Sequence, residues 1–433
     1  MIRRALLLLL PLLACGPNPA APVKVMAVLP TKAGAFQVSA TELSTLTSLT
    51  ALKGGAATIV GGARIVIDPS DPLFTATGAP MLNDEQISKL VQKDYGQDVR
   101  ANFIDREGTY WPADFHTWNM TSMYWAFEKA QAYFKTSYAG QSTDALRAPR
   151  VLYWAQYIDK NQSDADQVDN AFFNAIVKAF VVVPFKDAQL IPFAMNPGII
   201  GHEFSHFVFN QRVFDGMRIP PPLTSWANAN ATLSLLKAID EGLADFHGHG
   251  TTCTLEWGCQ PSFLTTSVSN PVVAARDISS KTACLAQEVR DGLKTFSWPS
   301  FVGNGMHYRI GTLFAASLYQ ASVGRAANPT EAQTLRTELE RNMLTALDAP
   351  KSLRELFTIT NEPASVTLES IAERLAANIP DLTLRTRVCQ EFLDRLMLDC
   401  PGAAGQPCSA VLPSCNNNPK PVRACTPLPP PTQ

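Results

Sequence analysis

Histidine is scarce in this sequence, at 6 of 433 residues, and charge is low, at 17%. The charges that exist nearly cancel, 36 Lys and Arg against 38 Asp and Glu. No cationic excess is left to neutralise a phosphate backbone by counterion release, which argues against nucleic acid as a partner. Beyond the first residues no apolar run is both long enough and uncharged enough to span a bilayer. The best of them, Ala171 to Phe185, carries Asn174 and Lys178 and reads as buried strand or helix. There is no C-x-x-C pair, so neither a zinc ribbon nor a thioredoxin-like redox site is indicated. Internal repeats are absent as well. What the chain does have is core-forming material, 46% hydrophobic and 9% aromatic residues, enough for one large domain or two ordinary ones. Thirty-two prolines beside so little charge lean toward an exported protein with long ordered loops.

The N-terminus points the same way. Arg3 and Arg4 precede the apolar run Ala5 to Leu13, which is too short to span a membrane and fits a secretory signal. Leu12-Leu13-Ala14-Cys15 resembles a bacterial lipobox. That resemblance implies a lipoprotein signal peptide over 1–15, a lipid on Cys15 and a place in the cell envelope, at the outer membrane or cell surface. Residues 16–35, rich in Pro and Ala, read as a tether, and 16–55 as tether plus N-terminal extension. Setting Cys15 aside leaves Cys253, Cys259, Cys284, Cys389, Cys400, Cys408, Cys415 and Cys425, an even set that in an exported chain predicts disulfides. Cys253 and Cys259 are near enough to close a short loop; the other pairings stay open.

Alternating and β-branched runs such as Ala57-Thr58-Ile59-Val60 and Arg64-Ile65-Val66-Ile67 predict strands, followed by an amphipathic helix around Trp118 to Phe134 and further strands near Val151 and Phe180. After Pro197 the pattern turns helical, over roughly 198–212, 229–248, 305–322, 331–347 and 366–377. The expected architecture is α+β: a β-rich lobe over 56–215, a mainly helical lobe over 216–400, and an irregular Cys- and Pro-rich tail over 401–433.

One segment carries chemistry. In Gly201-His202-Glu203-Phe204-Ser205-His206, the histidines stand at i and i+4 on one helical face, so two imidazoles can reach one tetrahedral metal. Glu203 is then placed to take a proton from a metal-bound water rather than to ligate. Apolar neighbours Ile199, Ile200, Phe204, Phe207 and Val208 argue against a solvated surface helix. A catalytic zinc takes three protein ligands and keeps one open position. No histidine follows at metzincin spacing, and the next candidate is Lys237-Ala238-Ile239-Asp240-Glu241-Gly242-Leu243-Ala244-Asp245-Phe246-His247-Gly248, where Glu241 and Asp245 face the same way one turn apart. That suits a ligand and a carboxylate that orients a ligating histidine. His247 and His249 are alternative ligands that helical spacing puts on different faces; His116 has no motif around it.

These helices resemble the gluzincin metallopeptidases, the thermolysin family above all, whose third ligand comes from an A-I-N-E-x-x-x-D-x-x-G motif. The resemblance implies a two-lobed zincin fold with the cleft between the lobes. It also implies a Zn2+ cofactor held by His202, His206 and Glu241, endopeptidase activity on protein or peptide substrates, and Asp245 behind a ligand. Asn170-Ala171-Phe172-Phe173 is similar to the family's substrate-aligning edge strand, which makes Asn170 and Ala171 substrate-binding. Arg276-Asp277-Ile278-Ser279 is similar to the segment whose arginine binds a substrate carbonyl. Asn304-Gly305-Met306-His307 is similar to the one whose histidine stabilises the transition state. The specific motifs span about 170–320.

The departures are equally definite. Thirty-four residues separate His206 from Glu241, with Pro220-Pro221-Pro222 among them, and none is the tyrosine the family uses on the transition state. Pro197 and Gly198 replace the acidic residue of calcium-binding relatives, and residues 16–55 read as too few to fold as an inhibitory prosegment. The competing expectation is a surface binding lipoprotein that keeps the gluzincin fold with little or no turnover.

Overall fold

A computed structural model describes residues 21–32, 34–68, 70–71, 82–138, 146–160, 167–186, 189–218, 229–268, 276–293, 305–358, 366–398, 408 and 426–427. The lipobox with Cys15, and Cys400, Cys415 and Cys425, lie outside them. The fold is α+β, with strands concentrated before Pro184 and helices after Asn196.

The first strand falls within the stretch read as a tether. β1 (Val23–Pro30) and β2 (Phe36–Leu43) form a hairpin in register from Val23↔Leu43 to Pro30↔Phe36. The alternation of Val23, Val25 and Ala27, all buried, makes this a half-buried strand. A composition reading dominated by Pro and Ala hid that alternation. The hairpin is tied in further on. The buried carboxylate of Glu128 accepts hydrogen bonds from the Thr45 amide at 2.7 Å and the Thr45 hydroxyl at 2.6 Å. The segment expected as an extension is therefore part of the β-rich region and its core.

β3 (Leu46–Ser48), β4 (Lys53–Gly54) and β5 (Thr58–Gly61) lead into a second sheet. There β5 runs parallel to β6 (Arg150–Tyr153), which runs parallel to β7 (Ala179–Val182). Parallel neighbours need a long crossover, and the β5 to β6 connection contains a 23-residue helix, α1 (Phe115–Ser137), capped by Asp114 accepting from the Thr117 amide. At the sheet's end β8 (Ala171–Asn174) lies antiparallel on β7, pairing Ala171↔Val182 through Asn174↔Ala179. The Val183 amide donates to the Asn170 carbonyl, so by antiparallel alternation the main-chain groups of Ala171 and Phe173 point away from the sheet.

The two motif helices are α2 (Pro197–Val213) and α3 (Ala229–Cys253). Proline at the first turn and Asn196 as cap, accepting from the Gly198 and Ile199 amides, start α2 where the sequence places it. Nearly every α2 residue is buried because the helix lies between the sheet and α3. Phe204 stacks on Phe134 of α1 at 5.3 Å between ring centres and meets Phe180 of β7 at 6.0 Å. α4 (Met306–Tyr319) packs along α3. Their crossing is backbone on backbone: a Cβ on Gly311 would stand 2.8 Å from the Ala238 carbonyl oxygen and 2.9 Å from the Gly242 nitrogen. Only glycine permits so close an approach.

Helices α5 (Pro329–Asp348), α6 (Leu368–Ala377) and α7 (Leu382–Leu396) complete the helical region. Disulfides join Cys253 to Cys259, closing the expected loop after α3, and Cys389 to Cys408, anchoring the start of the tail on α7. Cys284 is disulfide-bonded too. Among the described residues no helix is long and apolar enough to cross a membrane.

Candidate metal centre

His202 and His206 project from α2 with their Nε2 atoms 3.1 Å apart, both rings buried. Two nitrogens each about 2.05 Å from one tetrahedral ion would be separated by roughly 3.3 Å, so the pair already has ligand spacing. His202, Glu203 and His206 offer ligand atoms within 4.8 Å of one another. From α3, the Glu241 carboxylate completes the convergence, Oε2 lying 3.4 Å from His202 Nε2 and Oε1 3.7 Å from His206 Nε2. Two imidazoles and a buried carboxylate form a donor set that fits zinc.

The far side of each ring faces a carboxylate. Asp245 Oδ1 is 3.0 Å from His202 Nδ1, and Asp240 Oδ1 is 2.8 Å from His206 Nδ1. Both contacts are short in distance but off the ideal hydrogen-bond line. In the neutral rings, protons on Nδ1 suit these carboxylates and leave the Nε2 lone pairs turned toward each other. Burial alone would push His202 down; Asp245, Glu241 and Glu203 outweigh it and hold the ring up at about 9. Glu241 is buried, which by itself favours the neutral acid, yet Lys237 and the two histidines keep it well below the usual carboxylate range. The centre is thus a concentration of negative charge facing two imidazoles, which is what a dication requires.

Glu203 stands next to this set but is tied to another element. Its Oε2 accepts a hydrogen bond from the Phe173 amide of β8 at 2.8 Å, and Oε1 is 3.8 Å from His202 Nε2. The carboxylate therefore bridges α2 and the outward edge of β8, where Ala171 lies, with Asn170 just before it. The Asn170 side chain turns back to accept from the Ala171 amide at 2.9 Å.

Arg276 donates to Asp245 Oδ1 at 2.6 Å and to Glu241 Oε2 at 3.2 Å, and its guanidinium lies 4.4 Å from the centre of the Tyr308 ring. The segment's arginine is therefore at the centre, engaged by Asp245 and Glu241. His307 opens α4 and is buried; desolvation pushes it down to about 4, and it feels the charges of Glu241, Lys237, Arg276 and His206. The Gly311–Gly242 contact sets it against α3.

The alternative ligands do not join the centre. His247 Nδ1 is 2.9 Å from the Tyr133 hydroxyl, inside the core, and His249 packs on Tyr319 with Nε2 3.6 Å from Cys253 Sγ. His249 forms a potential ligand group with Cys253 and Cys259, but both sulfurs are committed to their disulfide. His116 bonds the Tyr153 hydroxyl at 3.0 Å.

Sequence reasoning missed three participants. Asp240 stood inside the quoted motif, at the family's asparagine, so its place beside Glu241 was the available signal. The Phe173 amide is main chain and leaves no mark in residue type. Lys237, one turn before Glu241, puts Nζ 2.8 Å from Oε1; Glu241 and Asp240 hold it above the ordinary lysine range despite the cost of desolvation.

No family model matches the chain, and no curated protein resembles it closely enough to count as a relative.

Proposed function

We propose that the protein is a zinc-dependent endopeptidase of the thermolysin-like gluzincin type. The observation that carries this reading is the convergence of His202, His206 and Glu241 from two separate helices, with Glu203 beside them and bonded to an edge strand. Zinc held by His202, His206 and Glu241 would supply Lewis-acid polarisation of the scissile carbonyl and of the attacking water. The chain's own residues do the rest. An extended peptide laid on β8 meets the outward carbonyls of Ala171 and Phe173, the amides there being engaged by the Asn170 and Glu203 side chains, and its own carbonyl is set in register with Glu203. Glu203 takes the proton of the attacking water and passes it to the leaving nitrogen. His307, kept neutral by burial, would donate to the developing oxyanion. In this reading the chain is exported and tethered through a lipid on Cys15.

Lys237 favours a second reading, a fold of this kind that binds without turning over, because an ammonium on Glu241 Oε1 occupies a ligand oxygen. One experiment separates the two. A peptidase holds about one zinc per chain and cleaves an unstructured substrate such as casein, loses this with a chelator and regains it with zinc. A purified chain that binds no zinc and leaves casein intact refutes the peptidase reading.

A further inference from the structure

We propose that the Lys237 ammonium donates a hydrogen bond to the oxyanion that develops on the scissile carbonyl. The inference rests on the peptidase reading above and adds a catalytic residue to it.

Three observations converge on Lys237. First, no tyrosine lies between His206 and Glu241, and in the whole of that stretch Lys237 is the only lysine. Second, its position on α3, one turn before Glu241, brings Nζ to 2.8 Å from Glu241 Oε1. Third, its side chain is 36% exposed, whereas that of Glu241 is 4% exposed. The ammonium is therefore the solvent-facing member of its ion pair with the ligand carboxylate.

Donor capacity points the same way. An ammonium has three N–H groups. One serves Glu241 Oε1, and Asp240 Oδ2, at 3.9 Å, is an ion-pair neighbour beyond hydrogen-bond range. The other cation of the centre is differently committed: Arg276 bonds Asp245 through two nitrogens and Glu241 through one, with only 13% of its side chain exposed. Of the two, Lys237 alone combines a short link to the ligand with an open face.

The chemistry balances without an added reactant. The water oxygen bonds to the carbonyl carbon, the π pair of the carbonyl moves onto its oxygen, and Glu203 receives the water's proton. That oxygen's charge is met by the Lys237 N–H, with no proton transferred. As the pair returns, the C–N bond breaks and the nitrogen leaves with the proton from Glu203. Such a donor, worth more in the transition state than in the bound substrate, lowers kcat when removed and changes KM little.

The test uses the full zinc-loaded chain with Lys237→Met and Lys237→Arg. Zinc content, kcat and KM are measured on one peptide. Calorimetry adds the Kd of a phosphinic peptide, which places a tetrahedral oxyanion in the cleft, and of the cleavage product, which does not. Lys237→Met is expected to keep about one zinc per chain and lose on the order of 10² in kcat with KM nearly constant. Its phosphinate affinity should fall about 10-fold or more while product affinity is unchanged, and Lys237→Arg should recover part of both losses. If Lys237→Met binds zinc more tightly and cleaves as fast or faster, the lysine is a competitor for Glu241 and the proposal is wrong. Loss of zinc from the methionine variant also overturns it, by making the lysine a support for the ligand. A wild-type chain that takes up neither zinc nor phosphinate overturns the peptidase reading along with this one. An active wild type with an unchanged variant overturns this one alone.

Discussion

The Phe173 amide of the edge strand donates to Glu203 Oε2 at 2.8 Å, so a main-chain group of one element sets the orientation of the carboxylate beside the histidine pair on another. The contact separates the two acidic residues of the centre by duty: Glu203 faces the strand, and Glu241 faces the imidazoles and two cations.

That separation yields the first prediction. Glu203→Gln keeps the amide contact through its carbonyl oxygen, retains about one zinc per chain and loses roughly 10² to 10⁴ in rate, the worth of a general base. Glu241→Gln weakens metal retention instead. Metal analysis beside peptide hydrolysis checks both, and release of zinc by Glu203→Gln would show that ligand and base have been exchanged.

His307→Ala is expected to leave zinc content and thermal stability nearly unchanged while kcat falls about 10² to 10³, the scale for one oxyanion donor. Steady-state kinetics with a metal count decide it. A variant that unfolds, or whose loss lies wholly in KM, assigns His307 to packing or to ground-state binding.

Gly311→Ala tests the helix crossing. Its methyl would meet the Ala238 carbonyl oxygen at 2.8 Å and the Gly242 nitrogen at 2.9 Å, both backbone atoms that cannot swing aside. The expected cost is about 1–3 kcal/mol, as for overpacked cores, read from urea unfolding. Equal midpoints for variant and wild type would mean that the helices stand further apart.

The pH dependence of stability has a definite sign at His247. Burial holds its ring down to about 3, and the ring is fully enclosed beside Tyr133. An unfolded histidine binds its proton near pH 6.5. The stabilisation is therefore complete above about pH 6.5 and is lost as pH falls toward 3, with a slope approaching about 1.4 kcal/mol per pH unit. Comparing metal-free wild type with His247→Gln across that range isolates this slope. Parallel curves would assign the acid sensitivity elsewhere.

Thiol titration under denaturing, non-reducing conditions is expected to find no free thiol among the eight cysteines after Cys15. Two or more per chain would contradict a fully oxidised exported protein.

Much of the centre is legible in the sequence because its signals are local. Helical spacing alone puts His202 with His206 and Glu241 with Asp245, and Pro197 marks where the helical pattern begins. What is not legible depends on contact between elements. The β1 hairpin is masked by a Pro- and Ala-rich setting, and its buried partners lie on α1, as in the Val28 amide with the Ser122 hydroxyl 94 residues on. The pairing of Asp240 with His206 requires the α2–α3 crossing. The role of Lys237 depends on which way a flexible side chain reaches.

The Gly311–Gly242 crossing has a consequence for how the cleft can adapt. Helices that touch through side chains can slide by rotamer changes, but here the main chain itself is the spacer, and peptide atoms have no rotamers to spend. The distance between the Glu241 side and the His307 side of the centre is therefore fixed like the gap of a caliper locked at its hinge. In the proposed peptidase, substrates of different bulk would be accommodated on the opposite wall, by the edge strand. Diversification of specificity in this protein's descendants should then accumulate around residues 170–190, and leave the two glycines untouched.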